Sequence, residues 1–271
     1  MSNLFKAFLF KLTKDLTFRI TLIIGGALAV VMTLIYFGID KLAEANMFCN
    51  GQSMFFNSIS PAQNFGIAIP VNLISFTVLE FTQGTVRNKI ITGNSKSKIY
   101  FSLFFAGLVF TLALLFTYVG LCVALGSIFG GFDINGSIGG TSITSLAGMG
   151  AVIDVHYFLR TLLCTVLLYI TIAAFTIFFA TLFRNIGPCI PVVIIMIMLL
   201  YFSSFFGYVN ENFHNVLLVV NPFYAIAMPT IENGLYQIKD NIFYFAIGNN
   251  LLYTAIFLVG GWLIFRKRDV K

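Results

Sequence analysis

An all-α membrane protein with six transmembrane helices and an N-terminal interfacial helix is the fold class this sequence predicts. Three observations predict it. The 271 residues are 59% hydrophobic and only 10% charged, with a mean hydropathy of +0.94, whereas a soluble domain carries about 25% charged residues. The few charges are clustered, and the uncharged intervals between them run 20–39, 45–79, 99–132, 161–183, 185–210 and 241–265. Each interval holds the roughly 20 apolar residues that a helix needs to cross about 30 Å of hydrocarbon. The runs are continuously apolar rather than alternating, so helices that satisfy their own backbone are expected, not barrel strands. This composition excludes a cytosolic enzyme, a disordered regulator and a nucleic-acid-binding module.

A single transmembrane domain over 1–271 follows, with spans expected near 20–39, 64–83, 99–125, 159–183, 188–208 and 242–265. Before the first span, Phe5, Phe8, Leu9, Leu12 and Leu16 recur at helical spacing, with Lys6, Lys14 and Arg19 largely on other faces. Residues 1–19 therefore read as an amphipathic helix in the membrane interface, lysines toward anionic lipid headgroups. The segment enclosed by Asp133 and Asp154 is rich in Gly, Ser and Thr and reads as a loop. Residues 209–241 are more apolar but contain His214, Asn221, Pro222 and Pro229. They read as an outer re-entrant segment of short helices that dips in without crossing.

Six spans put both termini on one side. Thirteen of the sixteen basic residues fall there, and only Lys41, Arg160 and Lys239 fall opposite. The positive-inside rule makes that side cytoplasmic, and the net charge of +6 reports membrane orientation rather than affinity for nucleic acid.

Chemistry is sparse. There is no GxxxxGK[ST], HExxH or GxSxG, and the four cysteines show no CxxC or Cys/His spacing. No catalytic, cofactor-binding or metal site is expected. Ion-coupled carriers place titratable groups midway across the membrane; here only Glu80 lies in an expected span, near its inner end. Any work must come from a partner.

The stretch that stands out is Glu80-Phe81-Thr82-Gln83-Gly84-Thr85-Val86-Arg87-Asn88-Lys89-Ile90-Ile91, leading through Gly93-Asn94 to Lys96 and Lys98. Gly84 permits a sharp break, and Thr85 is placed to cap the helix that starts next. Val86, Ile90 and Ile91 form an apolar edge among Arg87, Asn88 and Lys89, and Gly93-Asn94 tolerates the left-handed geometry of a helix end. The 84–98 segment is thus expected to hold a short stiff helix across the inner membrane surface, suited to docking in a partner's groove. As an ordinary basic loop, it would only neutralise Glu80 with Arg87 or Lys89.

This pattern resembles the membrane subunit of ABC-2 type transporters, the short six-span permeases with a type V exporter-like architecture. Those subunits carry an acidic residue at the inner end of the second helix, then Gly-Thr, an Arg and a basic turn, matched here by Glu80, Gly84, Thr85 and Arg87. The amphipathic N-terminal helix and the segment with Asn221-Pro222 also resemble theirs. One departure is Lys96 and Lys98 where the family pattern suggests arginine. The resemblance implies a bacterial plasma-membrane protein that is not itself an enzyme. ATP and Mg are then expected in a separate ABC ATP-binding subunit, coupled through Glu80, Gly84, Thr85, Arg87, Asn88, Lys89 and Ile90, and a second permease chain, identical or different, completes the path. Membrane lipids are the remaining expected partners.

A path of Phe, Leu, Ile, Ser and Thr suits a hydrophobic or amphipathic cargo, and small permeases of this kind export antimicrobial peptides or confer immunity to them. Asn72, Ser75 and Thr77 are the expected polar contacts of that path, or simply bond neighbouring helices. The competing expectation is a membrane anchor or sensor that recruits an ATPase or signalling partner without passing cargo.

Overall fold

The computed structural model describes residues 2–42, 49–59, 68–132, 152–153, 155–203, 216–217, 220–222, 230–232, 235–237 and 240–267. It is helical throughout, apart from one small sheet. The helices are α1 (Ser2–Lys14), α2 (Leu16–Leu42), α3 (Gly51–Ser58), α4 (Ala68–Thr82), α5 (Thr85–Ile91), α6 (Lys96–Gly130), α7 (Val155–Phe183), α8 (Ile186–Ser203) and α9 (Asp240–Lys267). Five of them, α2, α6, α7, α8 and α9, are long and apolar enough to cross a membrane, which makes this a multi-pass membrane protein.

The second expected span corresponds to α4, whose 15 described residues cover only about 22 Å at 1.5 Å per residue; residues 64–67 lie outside the described set. The long helices overrun the apolar intervals because a helix continues wherever water or headgroups solvate its side chains. Thus α2 reaches the exposed Lys41, with the buried Asp40 bonded to the Cys49 amide, and α6 begins at Lys96. At 35 residues, α6 is about 52 Å long, well beyond the hydrocarbon thickness. It acts as a mast that α1, α2, α3 and α7 pack against, while α9 lies along α7.

Small residues set the closest approaches to this mast. A Cβ on Gly107 would press on Leu73 of α4 and Ile177 of α7, 2.8 and 3.0 Å away. At Gly130 it would collide with the Cys49 carbonyl, so α6 ends where the backbone entering α3 lies against it. That segment is anchored locally: Asn50 caps α3 by accepting from the Ser53 amide at 2.7 Å, and the Cys49 amide donates to Asp40 at 2.6 Å. Almost all of α3 is buried.

The bundle has two chemically distinct ends. At one, the end of α9 meets the end of α4 and the start of α6: Trp262 donates to Ser97 at 2.9 Å and Lys96 donates to the Arg266 carbonyl at 3.2 Å. Phe265 packs on Phe81 and Tyr100. Helix α1 and the α7–α8 turn lie at this same basic end. At the other, Phe55 and Phe56 of α3 stack on Phe158 and Tyr157 of α7.

Two expectations need correction. Short helices were expected through 209–241, yet Thr230–Glu232 (β2) and Leu235–Gln237 (β3) are strands, antiparallel with Glu232 opposite Leu235. Val152–Ile153 (β1), within the expected Gly/Ser/Thr loop, pairs parallel to β3. The overlooked signal is Asn233-Gly234, the dipeptide that favours a two-residue hairpin turn. Elsewhere in 209–241, Val216, Leu217 and Val220 are helical as expected, and Asn221 donates to the Leu200 carbonyl at 2.7 Å; His214 and Pro229 lie outside the described residues.

Two α6 glycines separate packing from helix propensity. Gly130→Ala drives a methyl into backbone atoms that cannot swing aside, and should cost about 1–3 kcal/mol. Gly120→Ala meets nothing within 4 Å and should be neutral or stabilising by up to about 1 kcal/mol. Thermal unfolding of the purified variants checks both; equal effects would refute the packing account.

Candidate functional site: a charge clasp at the basic end

The most unusual side chain is Glu80, near the end of α4, with none of its surface exposed. A carboxylate out of water must be paired or lose its charge. Two ammonium groups meet it: Lys11 of α1 at 2.6 Å and Lys89 of α5 at 2.9 Å. Lys89 also stands over the ring of Phe8, 3.3 Å from its centroid, and Phe8 is itself fully buried against Phe76. Lys11 donates further to Gln83 at 3.2 Å. Burial pulls Lys89 below the ordinary lysine value, and its bond to Glu80 pulls the other way. One carboxylate thus ties together three helices, α1, α4 and α5.

The backbone around the clasp follows from Gly84, which turns out of α4 with φ +67°, a left-handed conformation that strains any residue with a Cβ. Here the structure departs from one expectation: Gly84 is itself the N-cap and makes no side-chain cap bond. Thr85 is the first residue of α5 rather than its cap, and its buried hydroxyl has no partner among the described residues. Gly93 takes the expected left-handed turn at φ +88°, and Asn94 closes the end of α5 by donating to the Lys89 carbonyl at 3.1 Å.

Helical spacing divides the seven residues of α5. Val86 and Ile90, four apart, share one face; Val86 is fully buried and Ile90 packs on the core. Arg87, Asn88 and Ile91 share the other and are exposed, Ile91 by 72%. The apolar edge expected of Val86, Ile90 and Ile91 therefore consists of the first two. Arg87 takes no part in neutralising Glu80; Lys89 does, and Lys11 joins it. Nothing near Glu80 in the chain signals Lys11, because the link spans 69 residues. The amphipathic pattern of α1 could have located it only by asking what lies beneath its buried face, formed by Phe8 and Leu12.

The same end is closed by Arg184, in the α7–α8 turn with φ 51°, whose guanidinium lies 5.2 Å from the Phe81 ring. Of the residues expected to line a path, Asn72 accepts from Thr21 of α2 at 2.8 Å and donates to the Ala68 carbonyl at 2.7 Å. Ser75 bonds the Val71 carbonyl at 2.9 Å, and the Thr77 hydroxyl is buried without a partner among the described residues.

An apolar cavity of about 190 Å³ opens between α7, α8 and α9, lined by Leu168, Phe175, Met196, Leu200 and Phe257 and roofed by Pro222. Its polar groups are engaged elsewhere. Thr171 lies within 3.1 Å of the Leu167 and Asn250 carbonyls and of the Asn250 and Thr254 side chains; Tyr253 donates to the Val220 carbonyl at 2.7 Å. Among the described residues, no three His, Cys, Asp or Glu side chains are grouped to hold a metal.

Against known families, residues 28–271 match DUF2705, described as a protein of unknown function. This chain belongs to the DUF2705 family. No curated protein matches it. The matched span of this DUF2705 chain includes Glu80 and Lys89, whereas Lys11 lies before it.

The clasp should be read in stability. Glu80→Ala leaves two ammonium groups facing each other beside a buried ring and should cost about 2 kcal/mol, below the value for a fully buried pair because Lys11 is 40% exposed. Lys89→Gln should cost less, and Lys11→Gln under about 1 kcal/mol. Thermal melts of the detergent-purified variants test this order; a harmless Glu80→Ala would refute the clasp.

Proposed function

We propose that this chain is the membrane-spanning permease subunit of an ATP-driven exporter of ABC-2 type, with α2, α4, α6, α7, α8 and α9 as its six spans. In this reading it lies in the bacterial plasma membrane with the basic end and both termini in the cytoplasm. Helix α1 is the interfacial elbow and α5 the coupling helix.

The observation that carries the proposal is the clasp and what it leaves free. Glu80 binds α5 to α1 and α4 on one side, so that Arg87, Asn88 and Ile91 face outward on the other. An exposed isoleucine beside an arginine, on a helix of seven residues stiffly held by Val86 and Ile90, suits insertion into a groove of a soluble partner. Force applied there passes through Glu80 to α4 and through the 92–95 turn to α6. The partner is an ABC ATP-binding subunit, which holds ATP and Mg and closes on ATP. A second permease chain encloses the path, and alternation between inward- and outward-open states follows from the partner's differential affinity for the two.

The cargo is hydrophobic or amphipathic, an antimicrobial peptide or a lipid-like compound. The apolar cavity with its internally bonded Thr171 and Tyr253 supports this, since it offers no free polar group to a small ion.

The decisive experiment uses Gly84. A Cβ there meets no neighbouring atom within 4 Å, but a β-branched valine cannot hold φ +67° without about 1–2 kcal/mol of strain. Gly84→Val should therefore re-aim α5, leaving membrane insertion intact while cargo-stimulated ATP hydrolysis by the co-purified partner falls about ten-fold, as a loss of about 1.4 kcal/mol in coupling implies. Gly84→Asn, which tolerates the left-handed region, should retain most of it. Undiminished stimulation in Gly84→Val would refute α5 as the coupling element. Partner binding with neither stimulation nor export in the native protein would favour a recruiting anchor.

A further inference from the structure

An open groove of about 480 Å³ runs between the second half of α1, the α1–α2 junction and α4. From its chemistry we infer that it is a binding site for one anionic phospholipid. This inference requires only that the basic end lie at a membrane surface, and it stands apart from the reading of the chain as an exporter subunit.

The groove is divided into two chemical zones. Its walls are apolar, from Phe10 and Leu16 on one side and Phe76 and Leu79 of α4 on the other. Its rim carries Lys11 and Lys14. Lys11 is already committed to Glu80 at 2.6 Å. Lys14 is exposed, with the Phe10 ring 5.7 Å from its ammonium. Arg19, whose Nε donates to the Thr13 carbonyl at 3.1 Å, adds a second cation beside the same junction. The one carboxylate in the lining, Asp15, accepts from the Thr17 amide at 3.0 Å, so its charge faces the start of α2, where a helix N-terminus favours it.

Charge and shape together select the ligand. A free inorganic anion would use the rim and leave the apolar walls bare. A zwitterionic lipid would use the walls but gain little from Lys14 and Arg19. An anionic phospholipid satisfies both, with its phosphate at Lys14 and its first chain segment between Leu16 and Leu79. The volume lies within the range of small-molecule sites, about 300–1,000 Å³. Because Lys11 sits on the same rim, an occupying lipid would lie directly beside the Glu80 clasp.

Native mass spectrometry of the purified full-length chain, titrated with phosphatidylglycerol or phosphatidylcholine in neutral detergent, tests this. Phosphatidylglycerol should be retained at lower concentration. Lys14→Gln should weaken it about five-fold, the effect of one lysine at an anionic surface. Leu79→Trp should weaken it at least as much by filling the groove without changing charge. Lys98→Gln, at an exposed lysine of the same end outside the groove, should change it less than about two-fold. Equal retention of the two lipids, equal effects of Lys14→Gln and Lys98→Gln, or no effect of a folded Leu79→Trp would overturn the site. So would displacement of phosphatidylglycerol by comparable concentrations of inorganic phosphate, which would mark a simple anion site. Should Leu79→Trp fail to fold, the two lysine variants decide.

Discussion

A carboxylate with no access to water dictates the arrangement of the basic end. Deprived of solvent, Glu80 requires positive charge at contact distance, and the chain supplies it from both directions: Lys89 nine residues later and Lys11 far earlier. Neither lysine could come that close unless α5 turned back under α4, which needs the left-handed glycine at position 84, and unless α1 lay across the end of α4, which its Phe8–Phe76 contact holds in place. The turn at Gly84 and the Phe8–Phe76 contact thus both serve one electrostatic demand. The aromatic ring beneath Lys89 adds to it, because a buried ammonium gains from a π face what it has lost from water.

The remainder of the bundle answers to a different constraint. In hydrocarbon there is no hydrophobic force between helices, so close approach and internal hydrogen bonds must hold them. Gly107 lets α4 and α7 reach the mast, and Gly130 lets the backbone before α3 lie on its far end. Several threonines return their hydroxyls to the preceding turn, as Thr111, Thr161, Thr165 and Thr176 do. The Thr171–Asn250 and Thr21–Asn72 contacts also cross between helices. Packing along α6 and α7 thus holds the body of the bundle, and a clasp of charges holds its basic end.

What could be read from the residues alone divides along the same line. Five of the six span positions were legible because hydrophobicity integrates over about 20 residues and needs no knowledge of neighbours. The break at Gly84 and the turn at Gly93 were legible because glycine's freedom is local. Lys11 was not, since an ion pair between residues 11 and 80 leaves no mark at either position. The assignment of Thr85 as a cap failed for a related reason: threonine is a good cap in isolation, but Gly84 already occupied that place with a φ that threonine cannot adopt cheaply. The strands at 230–232 and 235–237 were hidden by the surrounding apolar residues, which drew attention away from Asn233-Gly234.

The division of α5 into two faces has a consequence for how force could travel. A helix of seven residues is too short to be stable alone in water, so α5 exists only because Val86 and Ile90 pack on the core and Lys89 reaches Glu80. Any load on Arg87, Asn88 or Ile91 is therefore borne by those three contacts, not by the helix's own hydrogen bonds. Two are apolar and non-directional, and permit sliding. The third is an ion pair whose strength falls steeply once water enters between the charges. A push that separates Lys89 from Glu80 would leave the carboxylate with Lys11 alone, shifting the balance of the clasp toward α1. In the proposed coupling role, a load on α5 would be felt first by the two lysines that share one carboxylate, with α5 as the handle.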